Sequence, residues 1–391
     1  MLLPGDPVPS FFARGATNPN YAFDSVAGRN VALLFIGSTH DAGMQQLIDQ
    51  LFAAPEPFDD VFASAFIISS DLRDEAEDRL RERYPGLRVF WDSDRKISRL
   101  FGGDIGPDSK VRRTVLLDPG LRVHRILPIT DPATHFATLS NEMVSMGAPA
   151  ETLSGWAPVL EIPRVLEPEL CQEFIEYARK TGFEESGYMR TDPATGQTKL
   201  VVNHKHKRRS DCTIEDQRLR QLLQERIKRR LIPQIERAFQ FTVTRMERYL
   251  VAAYDADVGA HFRPHKDNTT LGTAHRRFAV TINLNSDDYD GGDLRFPEFG
   301  PRTYRAPSGG AIVFSCSLLH EATPITRGTR YCILPFLYDE AAASLRLRNA
   351  KHLADENLRK DVIASVSAVP PALERGGANG NSKKNRRLRF R

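Results

Sequence analysis

The chain has 391 residues, 41% hydrophobic and 27% charged, a balance that supports folded cores and leaves room for two domains. No apolar stretch approaches the length of a membrane span, and the opening Met1-Leu2-Leu3-Pro4-Gly5-Asp6 lacks the charged start and long apolar core of a secretory signal, so the expected location is cytoplasmic. Six Lys/Arg and no acid lie between Ser382 and Arg391, so the formal charge of +4 belongs to the tail, and the slightly acidic body ahead of it excludes a broadly basic nucleic-acid surface.

In chain order, Asn30–Gly37 is a short apolar run suited to a buried strand, Ala42–Ala53 is a helix, and Ala65–Ser69 is a second buried strand. The strongly charged Asp74–Tyr84 reads as a helix, and Arg113–Asp118, followed by Pro119-Gly120, as a strand entering a turn. Alternating strand and helix imply an α/β sheet over residues 1–145. Residues 146–157, rich in small residues, Gly and Pro, read as a linker.

Pro158–Leu166 reads as the leading strand of a second domain, 158–345, and a helix follows from Pro168 through about Thr181, with proline where its missing N–H costs little. Gln217–Phe239 is a longer helix with Leu219, Leu222, Leu223, Ile227, Leu231 and Ile235 on one side. Between the helices, Gly187–Asp211 carries His204-Lys205-His206-Lys207-Arg208-Arg209-Ser210. This segment is too polar for core and reads as an exposed loop or a lid, with phosphate binding a weaker alternative. Phe239–Leu337 supplies strands, and Glu340 to about Ser365, within a C-terminal segment 346–370, supplies one or two helices that cover them or pair two chains into a homodimer. Residues 371–391 have almost nothing to bury and are expected to be a disordered basic tail, either solubilising or weakly attractive to nucleic acid or an acidic partner. The four cysteines, Cys171, Cys212, Cys316 and Cys332, have no CxxC spacing and read as reduced thiols, with Cys316 and Cys332 packed as small hydrophobes.

The chemistry concentrates in Tyr254 to Asp267 and in His320 and Arg330. His265 and Asp267 are two apart, so on a strand both side chains point to one face and can bind one metal as neighbouring ligands. His320 follows the apolar run ending in Phe314 and is placed to supply a third ligand from a neighbouring strand. Two His and one carboxylate on one side of an ion leave open positions, the arrangement of non-haem Fe(II) oxygenases. Arg330, ten residues on and pointing into a core, requires an anion, and its guanidinium can hold a carboxylate with two parallel hydrogen bonds. The remaining histidines (His40, His124, His135, His204, His206, His261, His275 and His352) read as non-ligands. His261, four before His265, shares its face unless the strand bends near Pro264.

With Tyr254, Gly259 and Phe262 ahead of the His-x-Asp, Asn285 ending a strand and Gly291-Gly292-Asp293-Leu294-Arg295-Phe296 beyond it, the stretch from about Arg245 to Glu340 resembles the Fe(II)- and 2-oxoglutarate-dependent dioxygenases, most closely their prolyl 4-hydroxylase branch. The resemblance implies an α+β double-stranded β-helix, a jelly-roll of cupin type, whose mouth holds metal and ligand. It implies Fe(II) on His265, Asp267 and His320, with 2-oxoglutarate held at its distal carboxylate by Arg330, molecular oxygen as co-substrate, and ascorbate as an accessory cofactor. Tyr254 and Asn283 are the further co-substrate contacts expected. Asn283 stands where some prolyl hydroxylases place a tyrosine, and Thr281 is an alternative contact. The implied reaction hydroxylates an unactivated C–H, first of all of a prolyl residue in a protein or peptide. A free amino acid or small metabolite is the competing substrate, and a non-catalytic iron and 2-oxoglutarate sensor the competing role.

Gly5-Asp6-Pro7-Val8-Pro9-Ser10-Phe11, with Gly28-Arg29 before the first core strand, resembles the peroxiredoxin branch of the thioredoxin fold over roughly residues 3–140. That family carries Thr-x-x-Cys after this strand. Here the run is Thr39-His40-Asp41-Ala42, and alanine cannot attack a peroxide, so Arg113, in the place of the family's arginine, has no thiolate to stabilise. The expectation is a thioredoxin-like α/β domain without peroxidase chemistry, serving as a scaffold or docking module.

Overall fold

A computed structural model describes residues 2–54, 56–103, 106–109, 111–149 and 155–367. Residues 150–154 of the expected linker and the whole basic tail lie outside the described residues.

The N-terminal unit is a five-stranded sheet in the spatial order Leu87–Trp91, Ala63–Ser69, Asn30–Gly37, Arg113–Leu117, Val123–Pro128. The first three strands run parallel and the last two join antiparallel. Asn30–Gly37 is buried along its whole length because it sits at the centre of the sheet with both faces covered. On one face Leu34 and Ile36 meet Leu47, Ile48 and Leu51 of helix Ala42–Ala53 and Leu139 and Met143 of helix Pro132–Ser145. On the other, Leu33 and Phe35 join an aromatic cluster with Phe23, Phe66, Phe90 and Phe101.

The expected charged helix over Asp74–Tyr84 is instead a single turn, Leu72–Ala76. Asp71 caps it through Arg73 N, Asp78 takes a left-handed conformation just beyond it, and Pro85 biases Tyr84 away from helical backbone. Two further strands, Leu87–Trp91 and Val123–Pro128, complete the sheet beyond the expected elements; in the second, buried and exposed residues do not alternate regularly.

In the C-terminal unit, helix Pro168–Thr181 and the helical run from Gln217 to Phe239 cover a large antiparallel sheet, with Phe174, Leu219, Leu223 and Ile227 packed on Val251, Ile282 and Ile333. The longer run is α-helical over Gln217–Arg226 and Ile232–Phe239, with a wider π turn at Ile227–Leu231. Pro233, which lacks an N–H, follows directly and accounts for the change of pitch. A second sheet, in the order Lys207–Arg208, His261–His265, His320–Ala322, Leu294–Arg295, Thr303–Tyr304, accompanies the larger one, and both are antiparallel, as a double-stranded β-helix requires. Helices Glu340–Asn349 and Glu356–Ser367 follow the last strand.

The polar segment 187–211 is exposed or half-buried over most of its length and enters the core chiefly at its end. Its first part is a hairpin, Tyr188–Thr191 against Thr198–Val201, and its end supplies strands Lys207–Arg208 and Ser210–Thr213. Lys207 and Arg209 are only 4% and 6% exposed. Burial is tolerated because Arg209 bonds Asp211 at 2.7 Å and Lys207 Nζ donates to Ser186 Oγ and the Gly187 carbonyl at 2.7 and 2.5 Å.

The two units touch at the strands that carry the candidate metal ligands. Lys266 Nζ lies 2.5 Å from Asp24 Oδ2 and donates to Ser10 Oγ at 3.2 Å. Leu319, 1% exposed, belongs to the aromatic cluster of the N-terminal unit. A Cβ added at Gly28, whose φ is +94°, would stand 2.9 Å from Pro297 Cβ, so glycine permits this approach.

Candidate metal centre and co-substrate pocket

His265 and His320 face each other in register across the antiparallel pair His261–His265 and His320–Ala322, their ring centroids 4.3 Å apart. Asp267 completes the group: its carboxylate oxygens lie 3.7 Å from His265 Nε2 and 3.3 Å from His320 Nε2. One ligand atom from each residue falls within 4.8 Å of the others. Each imidazole is fixed from behind. His265 Nδ1 donates to the Arg263 carbonyl at 2.7 Å and His320 Nδ1 to the Leu318 carbonyl at 3.0 Å. A carbonyl only accepts, so both Nδ1 atoms carry the proton and both Nε2 lone pairs turn toward Asp267.

A register shift between Phe262 and His265 marks the bend at Pro264. It lays the Phe262 ring on His265 with centroids 3.4 Å apart. It also sends His261 elsewhere: its ring nitrogens meet the carbonyls of Gly259 and Lys205, so it is no ligand. Burial first, and then the proximity of His320, hold His265 well below the usual histidine range, which keeps its lone pair available.

Arg330 lies 3% exposed in the same cavity as the three ligand residues. Its Nη1 donates to the Gly292 carbonyl, its Nη2 reaches Asn283 Oδ1 at 3.3 Å, and its Cζ stands 5.3 Å from the Tyr254 ring centroid. Gly292 has φ +66° and a Cβ there would meet Arg330 Cδ at 3.4 Å, so the second glycine of the pair admits both the turn and the arginine stem. Arg330 Nε is buried without a partner. A permanent cation with an orphaned donor and no carboxylate partner among the described residues fits an anionic ligand end. Tyr254 and Thr281 line the cavity, whereas Asn283 stands behind Arg330 and gives its Nδ2 to the Ala306 carbonyl. Asn285 lies two residues past its strand and ties Thr329 O and Tyr331 N, bracing the strand of Arg330.

Sequence reasoning missed several lining residues. Arg209, Asp211 and Arg248 form a buried charge group beside Tyr254, and His206 lies 6.4 Å from the His265 ring. Only their unusual density of charge marked them, and that signal is shared with exposed loops.

His40, Asp71 and Asp74 also lie within metal-ligand reach of one another, in the N-terminal unit. Their oxygens are already engaged: Asp74 accepts from Thr39 N and Ser69 Oγ at 3.0 and 2.6 Å, and Asp71 from Ser38 Oγ and Arg73 Nη2, both at 2.7 Å. This is a hydrogen-bonded framework around the Thr39 turn. Ala42 is the first residue of its helix, behind the Asp41 cap, Arg113 is buried with Nε unpartnered, and all four cysteines are buried.

The donor set, two imidazoles and one carboxylate on one side of a point, suits a mononuclear Fe(II) with open positions. Residues 249–338 match the family described as the 2OG-Fe(II) oxygenase superfamily, so the chain carries a 2OG-Fe(II) oxygenase domain, which implies Fe(II) and 2-oxoglutarate. It is 39% identical over 123 residues to a PKHD-type hydroxylase of Bordetella pertussis, covering 28% of this chain and 54% of that one. It is 27% identical over 126 residues to a PKHD-type hydroxylase of a Synechococcus strain, covering 30% and 55%. The chain thus spans about half the length of the curated relatives it matches. Among solved structures it is similar to a prolyl hydroxylase of Trichoplax adhaerens, with 19% identity, TM-score 0.39 and coverage of 48% of this chain and 86% of that one. It is also similar to peroxiredoxin Q of Xanthomonas campestris, with 16% identity, TM-score 0.29 and coverage of 34% and 90%. No helix among the described residues is long and apolar enough to cross a membrane.

Proposed function

We propose that this chain is an Fe(II)- and 2-oxoglutarate-dependent dioxygenase that hydroxylates an unactivated C–H, on a prolyl residue within a protein or peptide. The observation that carries the reading is the shared cavity: three convergent ligand atoms at one place and, at another, a buried guanidinium with no carboxylate partner among the described residues and one unpartnered nitrogen, Nε. His265, Asp267 and His320 would hold the metal, and Arg330, kept in position by Asn283 and Gly292, would bind the distal carboxylate of 2-oxoglutarate. When bound, Fe(II) would supply, with 2-oxoglutarate and molecular oxygen, oxidative decarboxylation to succinate and carbon dioxide, in which one atom of the oxygen enters succinate and the other becomes the hydroxyl of the substrate.

The protein's part is orientation and shielding. The Nδ1 hydrogen bonds hold the imidazole lone pairs toward the metal position, Phe262 keeps water from one face of His265, and Tyr254 flanks Arg330. Prolyl specificity draws on the resemblance of the Tyr254–Arg330 pattern to prolyl hydroxylases, and the hydroxylase names of the curated relatives agree with the reaction class.

The test is 2-oxoglutarate turnover by anaerobically iron-loaded protein, with succinate followed after oxygen is admitted. Wild type should form succinate and Asp267→Ala should not. A proline-containing peptide should gain the mass of one oxygen atom. Succinate formation that survives in the variant would overturn the metal assignment.

A further inference from the structure

The cavity that holds the metal ligands is not closed by the barrel. It measures about 1310 Å³ and runs out between the two units, where Phe12, Asn18, Asn20 and Tyr84 of the N-terminal unit face Tyr188 and Arg190 of the hairpin. Small-ligand pockets span about 300–1,000 Å³, so metal, co-substrate and a free amino acid would leave much of this volume to water. Phe12 and Tyr84 are each 54% exposed on this wall.

Around His206, beside the metal ligands, stand Arg190, Lys205 and Arg263. None of the three side chains forms an ion pair with a carboxylate among the described residues, although Arg263 N donates to the His206 carbonyl at 2.8 Å and its Nε reaches the Lys205 carbonyl at 3.4 Å. Of the other charges lining the cavity, Asp24 pairs with Lys266, Arg29 with Asp60 and Arg209 with Asp211, Glu185 lies 3.1 Å from His204, Lys207 is hydrogen-bonded to Ser186 and Gly187, Arg330 belongs to the co-substrate pocket, and Glu184 carries no ion pair among the described residues. Strand Tyr188–Thr191 lines the cavity and pairs only with Thr198–Val201 among the described residues, which leaves backbone donors and acceptors on its other edge.

Resting on the oxygenase reading of the same site, we propose that the cleft between the two units binds an extended polypeptide segment with acidic side chains flanking the residue to be hydroxylated. The carboxylates pair with Arg190, Lys205 and Arg263. The peptide backbone meets the free strand edge on one side and the amides of Asn18 and Asn20 on the other. The thioredoxin-like unit is therefore the second wall of the substrate groove. Among the described residues, three unpaired cations outside the co-substrate pocket are few for a nucleic acid, whose specific complexes neutralise roughly 6–10 phosphates, and the body of the chain is slightly acidic.

The test uses the full chain under argon, loaded with Mn(II) and 2-oxoglutarate, and fluorescein-labelled short peptides with a central proline flanked by glutamates or by lysines, read by fluorescence anisotropy. The glutamate peptide should bind about tenfold or more tightly than the lysine peptide, with an advantage that shrinks as salt rises. Lys205→Glu, at an exposed position, should narrow the gap, and Arg190→Glu with Lys205→Glu should invert it. Phe12→Ala should weaken both peptides, with circular dichroism confirming the fold. Equal affinity for the two peptides, no effect of Phe12→Ala, or displacement of the peptide by an oligothymidylate at equal concentration would each overturn the proposal. Binding is read without turnover, so the two readings fail separately. Selective peptide binding with no hydroxylation when the protein is reloaded with Fe(II) and oxygen is admitted sinks the reaction, while succinate formation by the iron-loaded protein with no peptide preference sinks the groove.

Discussion

The guanidinium of Arg330 is held by Asn283, whose Oδ1 lies 3.3 Å from Nη2, while Nε is buried and unpartnered. If Arg330 carries the distal carboxylate of 2-oxoglutarate, Arg330→Gln should raise the co-substrate Kd by about 30-fold or more, since losing one partner of a buried charge pair costs about 2–5 kcal/mol. Asn283→Ala should raise it by about tenfold through loss of orientation alone. Anaerobic calorimetric titration with Mn(II) present measures both, and equal, small effects would remove Arg330 from the role.

Glu247 is buried among His275 at 3.1 Å, Arg276 at 2.7 Å and Arg346 at 2.6 Å, joining strand Arg245–Glu247 to the C-terminal helix Glu340–Asn349. Burial alone would raise its pKa, but Arg276, Arg346 and His275 overcome it and hold the carboxyl well below its ordinary range. Glu247→Gln leaves three cationic or polar partners facing a neutral amide and should cost about 3–5 kcal/mol, read from urea unfolding. A loss below about 1 kcal/mol would mean that water reaches this cluster.

Burial, and then the charges of His261, Arg190, Arg263 and Lys207, pull His206 down to about 4. In the unfolded chain a histidine titrates near about 6.5, so between these values the unfolded state holds the extra proton. The stability associated with neutral His206 is therefore present in full above that range and is lost as pH falls toward 4. Urea midpoints of wild type and His206→Gln, compared at pH values across this window, should diverge in slope, with wild type the steeper. Parallel slopes would show that His206 titrates as it does in water.

All four cysteines are buried, and burial, followed by Glu167, pushes Cys171 up to about 11. Ellman's reagent should label none of them in the native protein and all four in denaturant, and peroxide consumption should stay at background. Rapid labelling of a native thiol would reopen a thiol-based peroxidase role for the chain.

The ligand triad was legible because its chemistry is local: the His265–Asp267 spacing and the strand carrying His320 are written in short stretches. Even the loss of His261 from the face was readable, since Pro264 announces the bend. Lys207 and Arg209 were not legible as buried, because what permits it is Asp211, Ser186 and Tyr254 meeting them in the assembled sheet. The charged run after Asp74 misled because helix propensity, summed over residues, was outweighed by the Asp78 backbone and Pro85. Nothing in the run Pro264 to Asn268 announced that Lys266 would reach Asp24, more than two hundred residues upstream.

Lys266 separates two ligand residues and Leu319 immediately precedes the third, and both side chains end in the other half of the molecule. Heating or denaturant should accordingly reveal one cooperative transition and not two, with metal binding shifting the melting of the whole chain. An oxygenase half cut away from its neighbour would strand an ammonium and a leucine on either side of the metal ligands, so modularity at the level of sequence does not carry over to thermodynamics.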